Sequence, residues 1–170
     1  MSKRFVLLVL LQVLMLLSVV GKYYWISTSG HPVTLKTAPV DPRDLFYGDY
    51  VRLGFEISRI DLQSVQHDLE EPLYDTDVYV VLEQKGNVWH EAVGVYRHKP
   101  QLAPGQIMLS GRVPYYDGYM GEELRIVYGF ERYYVPENTG REIEQSVEQG
   151  WYVDLRVSGS GEAVITRLHR

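Results

Sequence analysis

The chain has no cysteine. That excludes a disulfide framework, thiol chemistry and thiolate metal sites, although a domain of this size can rely on its core alone. Its five histidines offer no metal spacing. His31, His67, His90, His98 and His169 include no His-x-His and no pair four residues apart, so neither a metal nor another cofactor is expected. Positive charge is scarce too: seventeen Lys and Arg against twenty-two Asp and Glu give a net charge of −5. No nucleic-acid partner is therefore expected. A Gly48-Asp49 strand start has the shape found in Ser-Lys peptidases, but residues 27–44 hold no Ser-x-Met-x-Pro nucleophile. Lys85 sits at an expected turn, a poor place for the desolvation that activates a lysine.

What is present begins with one long apolar run, Phe5 to Val20, broken only by Gln12 and Ser18 and preceded by Lys3 and Arg4. Positive charge before an apolar segment holds that end in the cytoplasm and sends the rest across the membrane. Extending the run to Ile26 reaches the ~20 residues that a span needs, with Tyr23, Tyr24 and Trp25 placed as an interfacial belt. We read residues 1–26 as an uncleaved anchor with the lipid bilayer as its partner through residues 5–26. Val19-Val20-Gly21 also suits a signal-peptide cleavage site. Residues 27–32, rich in Ser, Gly and Pro, read as a linker.

Residues 33–170 read as a β-domain. Fourteen Tyr and three Trp favour strands. Expected strands are Val33–Thr37, Tyr50–Ile57, Ile107–Val113 and Leu124–Val135. Two hairpins are expected, 77–84 with 88–97 and 151–157 with 162–168, turning at Lys85-Gly86-Asn87 and Ser158-Gly159-Ser160-Gly161. Thr139–Gln149 patterns as a short amphipathic helix. The fold class is mainly β, a sandwich or barrel of about eight strands, with this short helix and the N-terminal transmembrane helix.

The same pattern occurs twice, 73 residues apart. Residues 44–55 against 117–128 match in kind at eight of twelve positions, Arg52 falling on Arg125. The same offset lays Tyr79, Val80 and Leu82 on Tyr152, Val153 and Leu155. We read an internal repeat, 33–105 and 106–170, packed as two similar halves with ligand or partner sites between them.

Gly48-Asp49-Tyr50-Val51-Arg52-Leu53-Gly54-Phe55 resembles the signature of the GDYXXLXY protein family, with Phe55 where the signature has Tyr. The segments 39–46 and 128–137 are similar to that family's other recurrent stretches. The resemblance covers nearly the whole chain. It implies a bacterial envelope protein encoded beside multi-span membrane proteins, hence a multi-span membrane protein as partner. With the basic N-terminus it implies a single pass through the inner membrane, N-terminus cytoplasmic and C-terminal domain periplasmic.

Candidate binding residues fall in two clusters. Asp41, Arg43, Asp44, Asp49, Tyr50 and Arg52 form the first, where paired acids near arginines suit ligand binding or the bracing of a loop. Glu131 and Arg132, with Glu137 and Arg141, form the second; Arg125, the repeat equivalent of Arg52, and Tyr134 are further candidates. The expected function is an extracytoplasmic accessory or binding domain attached to an integral membrane partner. The alternatives are an envelope hydrolase or transferase using Asp41 or Asp49 as general base, and a small-molecule sensor.

Overall fold

A computed structural model describes residues 3–38, 50–70, 72–86, 88–117, 123–134 and 150–169, with the backbone alone at 50–52, 133 and 134. The apolar run forms one helix, α1 (Lys3–Ser29), long and apolar enough to cross a membrane. It holds no proline, and leucine dominates it, so nothing interrupts it. Its side chains from Phe5 to Val20 are exposed, whereas Ile26 is 3% exposed.

The linker expected over 27–32 is absent. Strand β1 (His31–Ala38) begins one residue after α1 ends. The Ser27 and Thr28 hydroxyls donate back to the Tyr24 carbonyl and so stay within the helix. Gly30 makes the abrupt change possible. Its N–H donates to the Ile26 carbonyl, and a Cβ there would stand 2.6 Å from that oxygen and 3.0 Å from the Val157 nitrogen.

Among the described residues eleven more strands follow: β2 (Tyr50–Arg52), β3 (Gly54–Phe55), β4 (Arg59–Ile60), β5 (Gln66–His67), β6 (Leu73–Lys85), β7 (Trp89–Tyr96), β8 (Ile107–Tyr116), β9 (Leu124–Arg125), β10 (Arg132–Tyr134), β11 (Tyr152–Val157) and β12 (Ala163–His169). They form two four-stranded sheets, ordered β12-β11-β1-β3 and β5-β7-β6-β8, and two ribbons, β10-β2 and β4-β9. Among the described residues only β5 and β7 pair in parallel. The fold is mainly β and does not close into a barrel. Val33, Leu35, Val153 and Leu155 of one sheet and Val80, Leu82 and Leu109 of the other share one core.

Two expected strands are broken. Tyr50–Ile57 divides at Leu53, whose N–H leaves for the Glu131 carbonyl, and turns at Glu56–Ser58. Leu53, Phe55 and Ile57 still share the buried side. Leu124–Val135 divides at Gly129, which has a φ of +87°. The expected helix at Thr139–Gln149 and the turn residue Asn87 lie outside the described residues.

Several pairings repeat when 73 is added in one half and subtracted in the other. Arg52 opposite Arg132 becomes Arg125 opposite Arg59. Leu53 N–H to Glu131 O becomes Ile126 N–H to Ser58 O. The hairpins β6–β7 and β11–β12 share one register, down to a bulge between Val81 and Leu82 in the first and Asp154 and Leu155 in the second. Strand β1 pairs with β11, while β8 pairs with β6. Each half thus lends its first strand to the other half's hairpin, an interlocked arrangement rather than two units side by side. The pairs Leu35–Val153 and Leu109–Val80 are its central rungs, all four residues fully buried.

Candidate functional site

Of the residues singled out in the sequence, Asp41, Arg43, Asp44, Asp49, Glu137 and Arg141 lie outside the described residues. The backbones of Tyr50 and Arg52 stand on β2 directly opposite Tyr134 and Arg132 on β10. Four candidates from distant parts of the chain therefore meet on one ribbon. Arg125 lies on the other ribbon, opposite Arg59. Glu131 is turned inward on its own loop: its carboxylate accepts the N–H of Tyr128 and, at 2.8 Å, that of Gly129. Its role is to close the turn that breaks the 124–135 segment.

A polar and aromatic cluster occupies the sheet of β12, β11 and β1. Along β11 the buried Val153, Leu155 and Val157 alternate with Tyr152, Asp154 and Arg156, which are less covered. The strand period of two puts these on the side away from the core. The Asp154 carboxylate accepts from Thr34 Oγ1 on β1 at 2.8 Å, from Arg167 Nε on β12 at 3.0 Å and from His169 Nε2 at 3.1 Å. Burial pushes this carboxyl up, but the bonds from Thr34, His169 and Arg167 outweigh it and hold Asp154 below the usual carboxylate range. Such a group is a firm anion and a poor general base.

Aromatic rings continue the cluster. Tyr152 lies with ring centroids 6.0 Å from Trp89 and 6.0 Å from His169. Lys36 Nζ sits 5.7 Å from the Trp89 centroid and 2.6 Å from Glu56 Oε1. Trp89 Nε1 on β7 and Lys85 Nζ at the end of β6 both donate to Glu91. The neighbouring His90 is 9% exposed, and its Nδ1 accepts the Thr34 N–H at 3.3 Å. Burial lowers its pKa, which keeps the ring neutral and able to accept that bond.

Sequence reasoning missed this cluster because its members stand far apart in the chain and carry no motif. The available signal was the alternation over 151–157. The 73-residue offset also shows that the cluster belongs to one half only: Asp154 corresponds to Val81, and Tyr152 and His169 to Tyr79 and Tyr96. Among the described residues no group of three or more His, Asp or Glu is placed to hold a metal ion.

The third notable locus is the seat of α1. Lys22 Nζ lies 2.6 Å from Glu162 Oε1 beside the β11–β12 turn, and Arg156 Nη1 donates to the Gly30 carbonyl at 3.1 Å. With buried Ile26 between them, these contacts fix the last two turns of α1 on the terminal hairpin.

No curated protein and no solved structure matches the chain. The family model described as GDYXXLXY protein matches residues 12–168, from within α1 to the penultimate residue of β12, and the chain belongs to the GDYXXLXY family.

Proposed function

We propose that the protein is a single-pass, membrane-anchored binding domain of the bacterial envelope that works with an integral membrane partner. In this reading α1 stays attached as a signal-anchor in the inner membrane, with Lys3 and Arg4 in the cytoplasm and the β-domain in the periplasm. The observation that carries it is the direct passage of α1 into β1, with Ile26, Lys22 and Gly30 seated on the terminal hairpin. A helix joined without a linker holds its domain at a set height and orientation, which suits contact with a neighbouring membrane protein.

The absence of cysteine makes the reading convenient to test. Single cysteines introduced at Ser2 and at Ser160, labelled in intact cells with a membrane-impermeant maleimide, report sidedness. Labelling at Ser160 alone is expected once the outer membrane is permeabilised. Labelling at Ser2 as well, or an intact mass lacking the first twenty-one residues, would refute the anchored orientation.

A further inference from the structure

The apolar run of α1 contains two polar side chains, and their hydrogen bonding differs. The Ser18 hydroxyl donates to the Met15 carbonyl at 2.7 Å, so it is satisfied within its own helix. The Gln12 amide offers two N–H donors and a carbonyl acceptor. It has no hydrogen-bond partner among the described residues, and its side chain is exposed.

Depth makes this unfavourable. Arg4 and Lys22 enclose seventeen residues without a charge. The rise between the two cations is about 27 Å, close to the ~30 Å of a hydrocarbon core. Gln12 stands ten residues from Lys22 and eight from Arg4, about 15 Å and 12 Å along the axis, hence near the midplane. Its side chain is too short to reach water on either side. An amide held there alone is disfavoured where leucine would serve the span better, so the residue points to a polar contact with another helix.

The β-domain does not supply that contact. Among the described residues it buries only Ile26 of α1, and it is tied to the helix end at Lys22 and Gly30. Around Gln12 the apolar Leu8, Val9, Met15, Leu16 and Val19 lie within two turns on the same face, all exposed.

We infer that two copies of this chain pair through their α1 helices, with the two Gln12 amides hydrogen-bonded to each other at the bilayer midplane. A primary amide is its own complement, because the N–H of each side chain donates to the carbonyl of the other. Copies inserted in the one orientation set by Lys3 and Arg4 carry this amide at one depth with no further condition. A helix of a different protein meets Gln12 only if it holds a polar group at that same depth. The pairing goes beyond the membrane partner proposed above and rests on the same reading of α1 as a membrane span.

The test uses the full chain, with Ser2→Cys labelled by a donor or an acceptor dye, in phosphatidylcholine vesicles at falling protein-to-lipid ratios. The parent is expected to show energy transfer that persists on dilution and saturates. Gln12→Leu should need about tenfold more protein per lipid for half-maximal transfer. Gln12→Asn, which keeps an amide, and Ser18→Ala should stay near the parent. A parent that survives an alkaline carbonate wash of the vesicles yet shows only chance transfer overturns the pairing and leaves the anchored span standing. A parent stripped off by that wash overturns both. Transfer equally strong in Gln12→Leu assigns the contact to another surface and overturns the role of Gln12.

Discussion

Lys22 near the end of the apolar helix and Glu162 beside the last hairpin turn, 140 residues apart, meet at 2.6 Å. Both are about half exposed, so their ion pair is a weak restraint by itself. Its value is positional, because it marks where the terminal hairpin lies along the helix. Cysteines placed at both positions should be joined by a short bis-maleimide cross-linker, which spans the reach of the two original side chains, in an otherwise cysteine-free chain. Gly30→Val should abolish the cross-link, since the added side chain would meet the Ile26 carbonyl and the backbone of Arg156 and Val157. Equal cross-linking in that variant would contradict a seated helix.

The interlocked halves predict resistance to separation. A single cut in the exposed segment between β7 and β8, near Gln101 and Leu102, leaves β1 paired with β11 and β8 with β6. The two pieces should remain together in gel filtration without denaturant and part only on unfolding. Separation under native conditions would show that the cross-half pairings do not hold the domain.

The two central rungs should carry similar weight. Leu35→Ala and Leu109→Ala each open a cavity at a fully buried site, with an expected loss of about 2–5 kcal/mol in denaturant unfolding. A loss below ~1 kcal/mol at either position would remove it from the core.

Two titrations follow from the site. His90 has a lowered pKa through burial, so the unfolded chain takes up its proton first as the pH falls. Stability should be level above the ordinary value of about 6.5 and decline below it. His90→Gln, which keeps an acceptor for the Thr34 N–H, should flatten that decline between pH 7.5 and 5.5. Asp154 is also lowered, the bonds from Thr34, His169 and Arg167 outweighing the opposing effect of burial. Its contribution is full above the ordinary carboxyl value of 3.8 and is lost as the pH falls through the lowered one. Asp154→Asn should reduce stability at pH 7 by about 1 kcal/mol, with screening at this partly exposed group keeping the figure small. An unchanged unfolding midpoint would show that the three hydrogen bonds contribute nothing.

Much of the architecture was legible because hairpins and apolar runs are local. The two hairpins fall within a few residues of their expected limits. What depended on distant partners was not legible. Leu53 leaves its strand for Glu131, and Gly129 with Glu131 converts an expected long strand into a turn. Ser27 and Thr28 looked like linker residues until their hydroxyls were seen bonded back into α1. The Asp154 cluster is assembled from Thr34, Arg167 and His169 across three strands. The opposition of Arg59 to Arg125 needs the pairing register, which composition does not contain.

The central claim, an anchored domain working beside a membrane partner, is tested most directly by cross-linking intact cells. The chain is then purified from detergent-solubilised membranes, and the product's components are weighed by mass spectrometry. The account predicts a chain that keeps its first twenty-six residues, joined in fixed ratio to one multi-span membrane protein. A chain beginning near Lys22, or one recovered alone, would contradict it.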